Sequence, residues 1–250
     1  MPYGLTIEND HSRRNVTRWL VLALISLIAA GIFSILLVLA RTPYVQSWIP
    51  FIDFFHTALV VHVNLSVLIW LLSIAAVMWT LSVTTVRPRL DFTSFVLAAI
   101  GTGVIVIAPF VGAGNPLMSN YVPVLQHPIF FIGLTFFMLG IALHVIRTLY
   151  DFPRIGAQLT ATSVLRTGTA LSAVITGIAI ASTLASWLDL PREMDGQIYF
   201  EFLFWGGGHV IQFAYTLLMM ICWAVLAEAS GCRIELTPRL MLVFLFFMTL

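Results

Sequence analysis

Long apolar runs are the feature that most constrains what this chain can fold into. Each run is close to the ~20 residues that a helix needs to cross a bilayer. The hydrophobic fraction is 60% and the charged fraction 9%, whereas soluble domains have roughly 45–50% and 25%. The sequence therefore predicts an all-α, polytopic transmembrane helix bundle that forms a single domain over residues 1–250. Six full spans are predicted, at residues 18–40, 55–82, 92–113, 128–150, 163–187 and 200–227.

A seventh apolar run begins at Pro238 and is still apolar at Leu250. A helix of that length rises about 20 Å, which is too short to cross the hydrocarbon core. We therefore expect a truncated seventh span, as in a truncated or split polypeptide.

The placement of arginine predicts the orientation of the bundle. The sequence has no lysine, and of its arginines only Arg41 and Arg192 fall on one side of the predicted spans. Because cytoplasmic loops carry the excess of positive charge, the side with the other arginines is predicted to be cytoplasmic. The N-terminus then lies inside the cell, with a cytoplasmic tail over residues 1–16. The net charge of +1 gives no reason to expect nucleic acid as a partner, and the expected environment is a lipid membrane.

The sixth run contains an ionisable residue, His209, directly after Gly206, Gly207 and Gly208. Each glycine in a helix interior costs about 1 kcal/mol relative to alanine. A membrane helix accepts that cost where a bulky group must approach its backbone. An intramembrane histidine is a functional-site hypothesis, and neutral imidazole is the commonest metal ligand. The pattern therefore predicts a flat or metallic group against residues 206–209.

A second histidine, His62, lies inside the second run. It is about as far from the outer end of its run as His209 is from the outer end of the sixth, roughly 12–14 Å at 1.5 Å per residue. Two histidines at one depth on separate helices would suit two metal centres in one layer. The alternative is that each histidine only hydrogen-bonds across helices.

Other polar residues carry weaker expectations. His56 and His144 are predicted at the outer and inner membrane boundaries, His127 as a cap-like or surface residue, and His11 in the soluble tail. Gly101 and Gly103 form a small-residue face that favours close helix packing on the third span.

Two motifs resemble those of a known family. His62 is followed by Asn64 and by an apolar run with Trp70, which resembles the HTNLLIxW pattern of nitric oxide reductases and cbb-type oxidases. The stretch WGGGHV at 205–210 resembles the first copper-B ligand region of haem-copper oxidases. Together they resemble subunit I of the haem-copper oxidase superfamily, over six of its usual twelve helices and the start of the seventh.

The resemblance implies specific roles for these residues. His62 would be an axial ligand of a low-spin haem b, and His209 would be the catalytic residue that ligates copper beside a high-spin haem. Gly208, Gln212 and Tyr215 would lie around this centre. In the family the remaining ligands lie on later helices, past Leu250.

The implied activity is terminal respiratory electron transfer to dioxygen in a bacterial inner membrane. The implied electron donor is cytochrome c or quinol. The implied partners are other oxidase subunits, including an electron-entry subunit with haem c or copper. Phe213 departs from the family, because mitochondrial-type oxidases have tyrosine at this position and nitric oxide reductases have glutamate. A nitric oxide reductase-like enzyme, a haem-b electron-transfer subunit and a non-catalytic structural subunit are the alternatives.

Overall fold

Six long apolar helices dominate the computed structural model, and they confirm the predicted all-α membrane bundle. The structure describes residues 3–7, 9–48, 53–112, 114–152, 159–191, 193–232 and 234–247. The helices are α1 (Asp10–Arg41), α2 (Phe54–Val63), α3 (Trp70–Ser82), α4 (Pro88–Ile107), α5 (Pro128–Tyr150), α6 (Ala161–Asp189), α7 (Gly196–Ala229) and α8 (Pro238–Phe247). A π-helical segment, Asn64–Ile69, joins α2 to α3, so residues 54–82 form one continuous second span.

Short non-helical or 3-10 segments connect these helices. A 3-10 turn, Val45–Trp48, follows α1, and another, Ala108–Phe110, extends α4. Between α4 and α5 the chain forms a small antiparallel hairpin of β1 (Pro116–Leu117) and β2 (Val124–Leu125). In this hairpin Pro116 pairs with Leu125, and Leu117 pairs with Val124.

Most helices extend beyond the predicted apolar runs because polar residues cap them. The side chain of Asn9 accepts a hydrogen bond from the backbone N–H of Ser12, which starts α1 at Asp10. Thr160 and Ser163 form a reciprocal capping box at the start of α6, an arrangement that satisfies backbone donors at a helix N-terminus. The first helix therefore begins within the predicted cytoplasmic tail over residues 1–16, and whether that tail is cytoplasmic stays a prediction.

Glycines set the close approach of α4 and α5. A methyl group at Gly101 would lie 2.8 Å from the Cα atom of Phe137, and one at Gly140 would lie 2.6 Å from the backbone nitrogen of Ala98. Neither helix could approach so closely with larger residues at these positions. The predicted small-residue face is confirmed at Gly101, whereas a methyl group at Gly103 would have nothing within 4 Å.

One end of the bundle holds a buried ion-pair network. We call it the basal end, and it contains the first residues of α1 and α4 and the last residues of α3 and α5. Asp91 and Arg147 are only 1% and 2% exposed, and their Oδ1 and Nε atoms lie 2.6 Å apart. Arg147 also lies 2.8 Å from Asp151, and Asp91 lies 3.0 Å from the Nε2 atom of His11. His11, predicted in a soluble tail, is therefore tied to the bundle.

His144 lies in the same region and is fully buried. Its ring nitrogens lie 3.3 Å from the Ser94 hydroxyl and 3.2 Å from the Thr80 hydroxyl, and the Trp19 ring packs at a centroid distance of 5.1 Å. The imidazole is therefore enclosed by protein, and its predicted position at the inner membrane boundary stays a prediction. Side chains from three other helices surround this imidazole and supply the hydrogen bonds that a buried polar group needs.

Candidate functional site

His62 contacts α1 through a defined nitrogen. Its Nδ1 atom lies 2.9 Å from the backbone carbonyl oxygen of Ala30 and 3.1 Å from the Ser34 hydroxyl. Because a carbonyl oxygen can only accept, Nδ1 carries the proton and Nε2 carries the lone pair. Among the described residues, no hydrogen bond engages Nε2. The ring is therefore oriented from one side and retains one nitrogen that is able to ligate a metal.

The π-helical segment begins two residues after His62 and contains neither proline nor glycine. The Asn64 amide donates to the carbonyl of Val60 at 2.8 Å, and the Ser66 hydroxyl donates to the carbonyl of His62 at 2.8 Å. Side-chain donors that occupy helix carbonyls distort the regular hydrogen-bond ladder. Short π-helical turns are frequent at functional sites, and this one adjoins the candidate haem ligand.

His209 has a different neighbourhood, because its side chain is exposed and lies against the α4–α5 loop. Its Nδ1 atom lies 2.9 Å from the carbonyl oxygen of Trp205, so Nδ1 carries the proton. The Tyr121 hydroxyl lies 2.8 Å from Nδ1 and 3.0 Å from Nε2, so it contacts both ring nitrogens. In this arrangement Tyr121 occupies the nitrogen through which His209 would bind a metal.

The glycine triplet is explained by protein neighbours. A methyl group at Gly206 would lie 2.6 Å from the Ser182 hydroxyl, and one at Gly207 would lie 2.8 Å from the Ala179 carbonyl oxygen, so both glycines let α6 approach α7. A methyl group at Gly208 would overlap the ring of Tyr121. The Tyr121 ring, a side chain of this protein, lies against Gly208, and the expected flat or metallic group stays a prediction.

The α4–α5 loop, residues 114–127, links the two histidine-bearing spans. On one side the Asn64 amide donates to the carbonyl of Pro123 at 2.7 Å. On the other side, Tyr121 lies on Gly208, and the Glu201 carboxylate accepts hydrogen bonds from the backbone and side-chain nitrogens of Asn120 at 3.2 and 3.1 Å. Within the hydrocarbon region, irregular backbone is found only where protein or a polar cavity surrounds it. The sequence analysis did not predict these contacts of the loop.

The two imidazoles are not at equal distances from the starts of their helices. His62 lies eight residues beyond Phe54, and His209 lies thirteen residues beyond Gly196. These separations correspond to about 12 and 20 Å along the helix axes. α7 begins four residues before the predicted run, and a helix start does not mark the membrane boundary, so the expected equal depth stays a prediction.

The residues predicted around His209 differ in their placement. Gly208 contacts Tyr121, as described. Gln212 is exposed and Tyr215 is partly buried. Among the described residues, neither side chain forms a hydrogen bond with His209. The residue that does contact its imidazole, Tyr121, was missed because it lies far away in sequence.

A small apolar cavity adjoins the glycine triplet. Its volume is about 80 Å³, and Leu68, Val122, Gly207 and Gly208 are among its lining residues. Sites for drug-sized molecules have roughly 300–1,000 Å³, so this cavity suits a molecule of a few heavy atoms and not a porphyrin. A groove of about 430 Å³ between α5, α6 and α7 is lined mainly by apolar side chains.

The described residues contain no group of three or more His, Cys, Asp or Glu side chains placed to hold one metal ion. His209 could therefore supply one ligand to a copper ion, but its companions would have to lie elsewhere. His56 and His127 do not join it. The ring of His56 lies 2.6 Å from Asp53, and that of His127 accepts from the backbone N–H of Ile129 as the N-cap of α5, as the predicted cap-like role requires.

The fold and these contacts define the chain as a multi-pass, all-helical membrane protein. It is 33% identical over 256 residues to the uncharacterized protein RP382 of Rickettsia prowazekii, an alignment that covers 90% of this chain and 49% of that protein. It is 29% identical over 226 residues to an uncharacterized protein of Aquifex aeolicus, covering 90% of this chain and 57% of that protein. The chain thus spans about half the length of the curated relatives it matches. No protein-family model and no solved structure matches it.

Proposed function

We propose that this chain belongs to a membrane-embedded electron-transfer subunit of the haem-copper oxidase type, with His62 as a ligand of haem b. The hydrogen bond from His62 Nδ1 to the Ala30 carbonyl carries the proposal. Metal-ligating histidines almost always donate their second N–H to a carbonyl, a carboxylate or water, which fixes the tautomer and raises the basicity of the ligating nitrogen. His62 has this arrangement, with Nε2 as the nitrogen that would bind iron.

Ala30 and Ser34 would orient the ligand in this proposal. They lie one helical turn apart on α1 and both contact the same ring nitrogen, so they restrain rotation of the imidazole. Haem would supply reversible one-electron chemistry, and the protein would tune its potential through ligand basicity and burial. The adjacent π-helical segment, held by Asn64 to the α4–α5 loop, would fix the position of His62 along the second span.

His209 is proposed as the first ligand of copper at a second centre with a high-spin haem. The hydrogen bond from its Nδ1–H to the Trp205 carbonyl again leaves Nε2 as the ligating atom. For His209 to bind copper, the Tyr121 hydroxyl must give up its contact with Nε2. The remaining ligands would come from polypeptide other than the described residues.

The proposed reaction class is terminal respiratory electron transfer from cytochrome c or a quinol to dioxygen. The proposed location is a bacterial inner membrane with a cytoplasmic N-terminus, supported by the arginines at the basal end of the bundle. An electron-entry subunit that carries haem c or copper would complete the pathway. The small apolar cavity beside Gly208 has the size and polarity that suit a diatomic substrate.

A haem-b electron-transfer protein without copper is the second candidate. It is favoured by the hydroxyl of Tyr121, which engages the ligating nitrogen of His209. In this alternative His209 holds the α4–α5 loop against α7, and only His62 binds a cofactor.

A reduced-minus-oxidised optical spectrum, combined with iron and copper analysis of protein purified from membranes, distinguishes these functions. Two haems together with copper are expected for the oxidase. Haem without copper would favour the electron carrier. Absence of both would overturn both proposals and leave the His62–Ala30 bond as a structural contact between α1 and the second span.

Substitution of the two histidines assigns their roles. His62→Ala should abolish the low-spin haem spectrum, and His209→Ala should remove copper and turnover while that spectrum remains. His56→Ala is the matched control, because this exposed histidine lies on the same helix and its ring lies 2.6 Å from Asp53. A low-spin spectrum that survives His62→Ala would refute the assignment.

A further inference from the structure

We propose that the basal ends of α1 and α4 form a binding site for the phosphate headgroup of an acidic phospholipid. The site is an open depression of about 520 Å³, and its lining is predominantly basic. It lies apart from both candidate cofactor histidines. Its lining residues are His11, Arg14, Arg18, Pro88, Arg89 and Phe92.

The spacing of these residues brings them to one groove. His11, Arg14 and Arg18 follow one another at i, i+3 and i+7 on α1, which places them on one face of that helix. Arg89 and Phe92 are three residues apart on α4 and face them across the depression. The guanidinium carbon of Arg18 lies 5.1 Å from the centroid of the Phe92 ring, a cation–π distance. Phe92 therefore holds one of the three arginines over the groove.

The three arginines of the groove have no acidic partner among the described residues. No carboxylate among the described residues lies within 4.0 Å of Arg14, Arg18 or Arg89. The nearby Asp91 is buried and contacts Arg147 and His11. Asp10 on the same turn of α1 lies 4.0 Å from Arg13 instead. Three arginines thus line one depression with no counter-charge from the described carboxylates, an arrangement that favours an anion.

Phosphate suits these groups because guanidinium presents paired N–H donors that match its oxygens. The position of the groove favours a lipid as the source of that phosphate. Exposed apolar side chains begin beside it, with Leu20 and Val21 on α1, and Phe92 itself is 50% exposed. A phospholipid can place its phosphate among the arginines and its glycerol and acyl chains over these apolar residues. Basic pockets between the ends of membrane helices bind anionic headgroups in this way.

Native mass spectrometry of the detergent-purified protein tests the site, with phosphatidylglycerol as the probe. We expect phosphatidylglycerol to bind more tightly than phosphatidylcholine, and the preference to fall as salt screens the charges. The triple variant Arg14→Gln, Arg18→Gln and Arg89→Gln should lose about fivefold in affinity for each arginine, as expected for ~1 kcal/mol per cation near the surface. Replacing the same three residues with lysine should retain part of the preference.

Arg13→Gln is the matched control, since Arg13 lies on the same turn of α1 but outside the groove. It should bind phosphatidylglycerol as the unmodified protein does. Equal binding of phosphatidylcholine, or a preference that salt does not change, would overturn the proposal even if the triple variant fails to fold. If inorganic phosphate competes as well as the lipid at equal concentration, the site binds free anions and the lipid assignment is wrong.

Discussion

Tyr121 controls the surroundings of His209, and Gly208 makes room for it. The phenol ring lies directly on the backbone at residue 208, and its hydroxyl lies within 3.0 Å of both ring nitrogens of His209. A residue larger than glycine cannot occupy this position while the ring stays in place. The state of His209, bonded to tyrosine or available to a metal, therefore depends on one side chain of the α4–α5 loop.

Gly208→Ala should displace the Tyr121 ring and expose the Nε2 atom of His209. We expect faster modification of His209 by diethyl pyrocarbonate, measured by mass spectrometry, and a loss of about 1–3 kcal/mol of stability from overpacking. Gly103→Ala is the control, because its methyl group would meet nothing within 4 Å and should stabilise the helix by up to about 1 kcal/mol. Equal modification of His209 in both variants would show that Tyr121 does not shield it.

Asn64 attaches the α4–α5 loop to the second span, as Tyr121 attaches it to α7. Asn64→Ala removes the donor to the Pro123 carbonyl and should cost about 1–3 kcal/mol, the typical penalty for a buried polar group left without its partner. We expect a lower melting temperature and faster proteolysis between residues 114 and 127. Ser66→Ala removes a hydroxyl that bonds only within its own helix, so it should leave the proteolysis rate unchanged. Slower or unchanged cleavage in Asn64→Ala would contradict the attachment.

At this scale the sequence predicts local roles better than distant contacts. The capping role of His127 could be predicted because it depends on neighbouring residues, and the partners of Asn64 are of the kind expected for a buried amide. The pairing of Tyr121 with His209 and the burial of His144 could not be predicted. Each depends on which helices and loops meet in space, and a single sequence does not specify this.

Among the elements, α4 and α5 form the most tightly defined pair. Glycines bring their backbones together, and the Asp91–Arg147 ion pair joins them at the basal end. Arg147 also contacts Asp151, so its guanidinium group balances two carboxylates. The pair therefore combines close packing with a buried charge network. Removal of either Asp91 or Arg147 alone would leave the other charge buried without its partner.

Arg147→Met should destabilise the bundle by about 3–5 kcal/mol, because it leaves the carboxylate of Asp91 buried without its cation. Thermal unfolding in detergent measures the loss. The double variant Asp91→Leu with Arg147→Met should recover part of it, since no buried charge then remains at that pair. Arg13→Met, which removes only an exposed pair with Asp10, should change stability by less than about 1 kcal/mol. A similar loss of stability in Arg147→Met and Arg13→Met would contradict the argument from the buried pair.

Hydropathy predicts the number of membrane helices more accurately than their first and last residues. The six apolar runs correspond to six helices, and residues 128–150 match α5 at both ends. Elsewhere hydropathy marks the lipid-exposed part of a helix, whereas the caps at Asn9, Thr160 and Asp195 determine where the helix begins. The π-helical segment was not predicted, since no proline or glycine signals it and its cause is a set of side-chain hydrogen bonds.

For the whole molecule, the alternation of long helices and short connections places all basal segments on one side of the membrane. Arginine placement predicts that this side is cytoplasmic. Cys232, an exposed residue just beyond α7, belongs to this side. The chain thus carries a natural reporter of its own orientation.

Cys232 should react with a membrane-impermeant maleimide only after permeabilisation of intact cells, in a Cys222→Ser background. Asn115→Cys, placed in the α4–α5 loop of a variant without the native cysteines, should react without permeabilisation. Gel-shift labelling measures both. Reaction of Cys232 in intact cells, with protection of residue 115, would reverse the proposed orientation.

The Asp91–Arg147 pair also has a consequence for biosynthesis. Each residue would be a charge without its partner if its helix inserted alone, although both lie within one turn of a helix end, where the cost is lower than at the bilayer centre. The two helices follow one another in the chain, and their charges meet when the hairpin closes. This geometry favours insertion of α4 and α5 as a hairpin, in which the two charges neutralise each other.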